Sequence, residues 1–314
     1  MTKIVLHRLL SLVPVLLVVS WLAFFLLNAS PSNIVSSILG DTATDESIAQ
    51  TKEKLGLDQG VWARYFDWLS AVVRGDFGSS YLDGSGVWTS VMDRLPVTLS
   101  LTLGGLILTV AFGVPAGIAA ARRPGGVLDR FLTIIGSGLI AVPSFWAGMM
   151  LSTWFGVKLG WLPSGGYVPF AESPSMWAAS LVLPSIALAL TPAASVARQM
   201  RVSMIANLDS DYVRTARAKG VSESAIIRRH VLRNALGPVA TVIGFQVATM
   251  IGGSFVIEVI FSLPGLGGLT VPAVLASDTP VIMVVIMVVA VAVLITNLMV
   301  DLLYNYFDPR VREL

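Results

Sequence analysis

Six stretches of this chain, residues 9–27, 95–121, 131–157, 173–197, 234–257 and 279–300, contain no Asp, Glu, Lys, Arg or His. A hydrocarbon layer about 30 Å thick is crossed by about 20 apolar residues of helix. Backbone groups in lipid must pair within their own segment, so uncharged runs of this length predict helices. A β-barrel would alternate polar and apolar residues, and these runs do not. Only 13% of the residues are charged, where a soluble domain carries about one quarter. The predicted fold is all-α: a polytopic membrane protein of six transmembrane helices.

Charge placement predicts the orientation. With the N-terminus cytoplasmic, the inner side holds Lys3, Arg8, Arg122, Arg123, Arg130, the eight Lys/Arg from Arg198 to Arg233, Arg310 and Arg312. The outer side holds Lys52, Lys54, Arg64, Arg74, Arg94 and Lys158. Fifteen against six is the asymmetry that the positive-inside rule describes. Both termini come out cytoplasmic. The first run is longer than the usual h-region of a cleaved signal and lacks a small-x-small site near Asn28, so it reads as a retained helix.

Along the chain this gives an N-terminal helix in 1–28, an extracytoplasmic segment in 29–94, a five-helix core in 95–303 and a tail in 304–314. In the outer segment, residues 45–55 predict a short helix stopped at Gly56. Trp62, Tyr65, Leu69 and Val72 fall at helical spacing, which predicts an amphipathic helix at the membrane interface, with a docking face for an outer partner as the alternative. Gly113 and Gly117 form a G-x-x-x-G pair that lets helices approach closely. Pro143, Pro184 and Pro192 predict kinks.

Chemistry is sparse. The chain has no cysteine, so it offers no thiolate metal site. Gly-Lys occurs nowhere, so there is no Walker A phosphate loop. His7 and His230 both lie outside the runs, which leaves Gly136-Ser137-Gly138 without a base and reads it as packing. The expectation is a chain that is not an enzyme. An ion-coupled carrier places ionisable groups near mid-membrane, and the runs are uncharged; Glu258, at the outer end of the fifth, either snorkels or pairs at the interface, or stands at an outer gate. Gln246, with Thr249 and Gly253 at i+3 and i+7, would form a small polar face on a translocation path.

The most informative polar segment is cytoplasmic, within loop 209–236. Residues 211–233 read D-Y-V-R-T-A-R-A-K-G-V-S-E-S-A-I-I-R-R-H-V-L-R. Asp209, Ser210 or Asp211 can cap a short helix running to Lys219. Gly220 is placed to end it in the left-handed conformation. Ser222 can cap a second helix with Glu223 in its first turn, broken near Gly237-Pro238. Two short helices about one glycine make a knuckle able to transmit force. The plainer readings are that Arg214, Arg217, Lys219, Arg228, Arg229 and Arg233 fix topology only, or meet anionic membrane lipid.

This loop resembles the EAA loop of ABC-importer permeases, in the D-Y-x-R-T-A-R-A-K-G form of the B-type permease of the dipeptide/oligopeptide/nickel family. Leu55-Gly56-Leu57-Asp58-Gln59, Gly75-Asp76-Phe77-Gly78-Ser79-Ser80 and Arg94-Leu95-Pro96-Val97-Thr98-Leu99 are similar to the family's outer segment and the start of its second helix. Phe261-Ser262-Leu263-Pro264-Gly265-Leu266-Gly267 and Asp308-Pro309-Arg310-Val311-Arg312 are similar to its turn after the fifth helix and its tail. Departures are Arg214 in place of the EAA Glu, His230 and Arg233 in place of its later Ile and Pro, and Pro31-Ser32-Asn33-Ile34 in place of Pro-Gly-Asp-Pro.

The resemblance implies a type I ABC importer permease in a bacterial cytoplasmic (inner) membrane. It implies a homologous second permease, two ATPase subunits below and an extracytoplasmic substrate-binding protein above, with no nucleic acid. No cofactor is expected on this chain; ATP and Mg would sit on the ATPase subunits. Asp211, Arg214, Thr215, Ala216, Arg217, Ala218, Lys219 and Gly220 would couple to an ATPase. Gln246, Thr249, Gly253, Glu258, Phe261 and Pro264 would line the path or outer gate. Peptides are the implied cargo, with nickel chelate, haem or glutathione as alternatives.

Overall fold

The computed structural model describes residues 2–28, 35, 39, 44–54, 56 and 58–307, and all its extended elements are helices. In chain order these are α1 (Thr2–Leu27), α2 (Asp45–Lys54), α3 (Val61–Val73), α4 (Val87–Ala121), α5 (Val127–Ala141), α6 (Ser144–Leu151), α7 (Pro174–Leu208), α8 (Asp211–Ala218), α9 (Glu223–Ile226), α10 (Leu232–Ile260), α11 (Leu266–Leu275) and α12 (Thr279–Phe307). Tighter or wider turns interrupt the regular pattern twice: π-helical segments Ser152–Lys158 after α6 and Ile227–Val231 between α9 and α10. The motifs Asp308-Pro309-Arg310-Val311-Arg312 and Pro31-Ser32-Asn33-Ile34 lie outside the described residues.

Among the described residues, four helices are long and apolar enough to span a membrane: Val87–Ala121, Pro174–Leu208, Glu223–Ile260 and Thr279–Met299. The first uncharged run is a helix whose described apolar part is Leu12–Leu27. The third run is broken at the expected proline. It is two helices, Val127–Ala141 and Ser144–Lys158, bent by 97°. Pro143 explains the break. Its ring forces the preceding residue out of the helical region, and Val142 sits at φ −81, ψ 121. Pro184 and Pro192, by contrast, stand inside an unbroken α7. The second spanning helix starts at Val87, eight residues before the uncharged run does.

The chain forms two compact units. One comprises residues 1–98 and 264–294, the other 99–263 and 295–314. In the first, α3 lays Tyr65 against Phe24 and Phe25 of α1, with ring centroids 5.5 and 6.3 Å away, and the Tyr65 hydroxyl meets Ser20 Oγ at 3.0 Å. Trp62 and Phe66 of the same helix stay exposed. Here α11 begins where Leu266 N donates to the buried Thr98 hydroxyl at 2.9 Å.

In the second unit, α7 is the central helix, packed by α5, α6 and α10. Its small residues admit α4 at close range. A Cβ added at Gly113 would stand 2.8 Å from Ala193 O, and one at Gly117 2.5 Å from both Ala197 O and Met200 Cβ. Because backbone stands opposite, nothing can swing aside. Gly117→Val should lower the unfolding temperature of the detergent-purified protein, an overpacking cost of about 1–3 kcal/mol or more. A melt indistinguishable from wild type would show that α4 and α7 can part freely.

Candidate functional site

The basic loop forms the expected knuckle, built from local rules. Ser210 holds the N-cap position of α8, and its hydroxyl turns back to donate to Asn207 O rather than capping the helix itself. The C-terminal end closes as a Schellman motif. Lys219 is the C-cap, Gly220 adopts φ +75, Gly220 N donates to Arg217 O at 2.9 Å and Val221 N to Ala216 O at 3.2 Å. Any other residue at 220 would place a Cβ in the left-handed region. Across this turn Arg217 Nε donates to Glu223 Oε1 at 2.6 Å, locking α8 to α9. The Glu223 carboxylate holds Arg217 above the usual guanidinium range, chiefly through this hydrogen bond.

The predicted coupling residues divide by face. Asp211, Arg214, Thr215, Arg217, Ala218, Lys219 and Gly220 are exposed. Arg214 lies 3.6 Å from Asp211, a surface pair of little energetic weight, and the Thr215 hydroxyl donates to Asp211 O at 2.9 Å. Ala216 is half-buried, and Val213 is fully buried. Val213 packs in one apolar cluster with Ala121 of α4, Val196, Met200 and Met204 of α7, Ile226 of α9, Val231, and Ala235 and Val239 of α10. Tyr212 adds a polar clamp. Its hydroxyl donates to Asn207 Oδ1 of α7 at 2.9 Å and accepts from Asn234 Nδ2 of α10 at 3.3 Å. Displacement of α8 is therefore felt by both α7 and α10.

The expected second short helix does not stop at Gly237-Pro238. It runs on through the π-helical turn Ile227–Val231 into α10, with Pro238 inside the helix. The residue before a proline is driven from the helix partly by its own Cβ, and Gly237 has none. Ala235, Gly237 and Val239 are buried, so packing favours continuity. The knuckle thus joins the membrane helix directly. Ser222 occupies the N-cap position of α9 without a side-chain capping bond.

Sequence reading missed a second junction. Asp129, in the first turn of α5, is 3% exposed. It accepts from Arg201 of α7 through both oxygens, Arg201 Nη2 to Oδ2 at 2.7 Å and Arg201 Nε to Oδ1. Gly125 N also donates to Oδ2 at 2.8 Å. This is the bidentate geometry that suits a guanidinium best. Arg201 borders a cavity of about 290 Å³ walled by small residues of α4, α5 and α7, including Gly117, Gly136 and Ala194. The only signal in the sequence was an acid just before an uncharged run.

The predicted path residues do not gather at one point. Gln246, Thr249 and Gly253 share a face of α10; Gln246 and Gly253 are half-buried and Thr249 is exposed. The Thr249 hydroxyl donates to Gln246 O at 2.8 Å. Glu258 lies about 120° around the helix from Gln246 and is fully buried, so it does not snorkel. Phe261 is buried as well, its carbonyl accepting from Gly166 N at 2.8 Å. Ser262, at φ 50, ends α10 in a second Schellman closure, with Leu263 N donating to Glu258 O at 2.8 Å. Pro264 is exposed.

Residues 113–313 match the family of binding-protein-dependent transport system inner membrane components, and residues 1–102 match the N-terminal part described for such membrane components. A peptide transport system permease protein of Brucella abortus (strain 2308) is 41% identical over 312 residues, 99% of each chain. The oligopeptide transport system permease protein AppB of Bacillus subtilis (strain 168) is 37% identical over 314 residues, and the glutathione transport system permease protein GsiC of Escherichia coli (strain K12) 39% over 312, each with 99% of both chains covered. In fold, a chain of the inward-facing MetNI methionine ABC transporter superposes with a TM-score of 0.57 at 18% identity, covering 69% of this chain and 96% of that one.

Proposed function

The chain belongs to the family of binding-protein-dependent transport system inner membrane components, and on that premise we propose that it carries di- or oligopeptides inward. It is a multi-pass permease subunit of an ABC importer in a bacterial inner membrane, and ATP hydrolysis belongs to separate ATPase subunits. Such a permease works with a partner permease and an ATPase. We assign it two ATPase subunits, which hold ATP and Mg, and an extracytoplasmic binding protein that delivers cargo.

The peptide reading is carried by similarity over nearly the full length to relatives named as peptide permeases. In the mechanism, ATP-driven closure moves the exposed face of α8, with Asp211, Arg214, Thr215, Arg217 and Lys219 meeting the motor. Val213 and the Tyr212 clamp pass that motion to α7 and α10. The Gln246–Thr249–Gly253 face then lines the opened path. Glu258, Phe261 and Pro264 stabilise the turn at its outer end. Glutathione is the second reading, favoured by the 39% identity to GsiC; nickel chelate and haem follow.

The test is the ATPase activity of the complex purified through this chain with its binding protein. Di- or oligopeptides should stimulate it, and removal of residues 215–219 should abolish that stimulation while sparing membrane insertion. Stimulation by glutathione but by no other peptide would reject the peptide assignment. Uptake by the isolated chain on an ion gradient would reject ATP coupling.

A further inference from the structure

Arg64 and Trp68 stand one turn apart on α3 and so are neighbours on one face. Both line a cavity of about 230 Å³ together with Phe24, Gln59, Asp67, Tyr81 and Met283. Arg64 Nη1 and Trp68 Nε1 are each closed to solvent, and neither has an acceptor. The other end of the guanidinium is occupied. Nη2 donates to Asn28 Oδ1, and the guanidinium carbon lies 5.9 Å from the centre of the Phe24 ring. Neither contact neutralises it.

Among the described residues no carboxylate forms an ion pair with Arg64. Asp67, on the same helix and on the cavity wall, is exposed and water-screened, and forms no ion pair with Arg64. Asp278 is buried but already accepts from Ser80 Oγ at 2.5 Å and Tyr81 N at 3.2 Å. Burial pulls Arg64 below its ordinary value, opposed by Tyr81. Buried donors in folded proteins are nearly always paired, and the half-buried guanidinium carries its charge with no carboxylate paired to it among the described residues. Water could accept both hydrogen bonds but would leave the charge. One group meets both demands: a small anion with two or more oxygen lone pairs.

We infer that this cavity is an oxyanion site, in which Arg64 Nη1 and Trp68 Nε1 together hold a carboxylate or phosphate group. Both donors are closed to solvent, so the anion is admitted by rotation of the guanidinium about its last torsions. Gln59, exposed at the rim, can swing clear. Two sources present this chemistry: a free acidic solute, or the phosphate of a lipid headgroup. The exposed Trp62 and Phe66 of the same helix are the aromatic surface that settles at a membrane interface, which brings the second within reach.

The test uses the transporter purified in detergent through this chain, with thermal unfolding as the readout. Sodium acetate and sodium phosphate are titrated against sodium chloride at equal ionic strength. In parallel, delipidated protein is titrated with phosphatidylglycerol against diacylglycerol. Wild type should show a saturable rise in unfolding temperature with an oxyanion and none with chloride or diacylglycerol. Arg64→Gln should remove the response, and Trp68→Phe should weaken it by up to about tenfold, the loss of one charge-assisted hydrogen bond. A response to acetate or phosphate identifies a soluble anion; a response to phosphatidylglycerol alone identifies the lipid. No response in wild type to acetate, phosphate or phosphatidylglycerol, or an undiminished response in Arg64→Gln, overturns the site and leaves hydration only. Should Arg64→Gln fail to assemble, Trp68→Phe, which keeps the arginine, decides by the same criterion.

Discussion

Val213→Asp is expected to abolish ATP-driven uptake while the chain still inserts in the membrane. Val213 is the one fully buried side chain of α8, and its neighbours are apolar residues of α4, α7, α9 and α10. A carboxylate there is desolvated with no partner, which costs several kcal/mol unless the helix lifts away. Each 1.4 kcal/mol is a factor of about ten in an equilibrium, so a penalty near 3 kcal/mol lowers the ratio of seated to lifted knuckles roughly a hundredfold. The helix itself survives undocking, because its Schellman closure and the Arg217–Glu223 pair are local. A motor bound to its exposed face would then push on a part no longer joined to the membrane helices.

Val213→Ala keeps the site apolar and loses about 1–2 kcal/mol, so its uptake should fall only partly. Peptide uptake and cargo-stimulated ATPase, measured together, separate the cases. In Val213→Asp, hydrolysis should become independent of cargo while uptake vanishes. Wild-type uptake in that variant would mean that force reaches the membrane helices by another route.

The second large effect is structural. Arg201→Leu should destabilise the protein by about 3–5 kcal/mol, because it strands a buried carboxylate whose partner was a bidentate guanidinium. The Gly125 N–H and the Thr133 hydroxyl would remain, two neutral donors in place of the cation. Lower unfolding temperature in detergent and lower abundance in the membrane are the readouts. Asp129→Asn combined with Arg201→Leu should recover much of the loss, since an uncharged pair of similar volume is often as stable as the ion pair it replaces. If the double variant is as unstable as Arg201→Leu alone, then the arginine matters through its stem packing and not through Asp129.

These two expectations mark the boundary of what could be read in advance. The knuckle was legible because its parts are adjacent in sequence. A glycine that must reach φ +75, a serine before a helix and an acid in a first turn follow from backbone rules acting over a few residues. The amphipathic α3 was legible for the same reason. Its periodicity named the buried tyrosine, though not Phe24 and Phe25 as the surface that receives it. The proline rule worked at Pro143 and failed at Pro238. The residue before each proline decides the outcome, together with the packing around it. Val142 carries a Cβ that is driven out of the helix; Gly237 carries none and is held in it by α10's burial.

What the sequence by itself determined is the solvent and the secondary structure: long stretches without charge have only lipid to face and only helices to form there. What the tertiary structure decided is who meets whom. Asp129 finds Arg201 at a separation of 72 residues, Tyr212 joins the end of one long helix to the start of the next, and Glu258 is enclosed although it stands at a helix end. Helix formation and helix ends answer to forces among neighbours along the chain, which any reader of the sequence can inspect. Pairing across helices depends on the rotation and depth at which they pack, and those are set by the summed fit of many side chains at once.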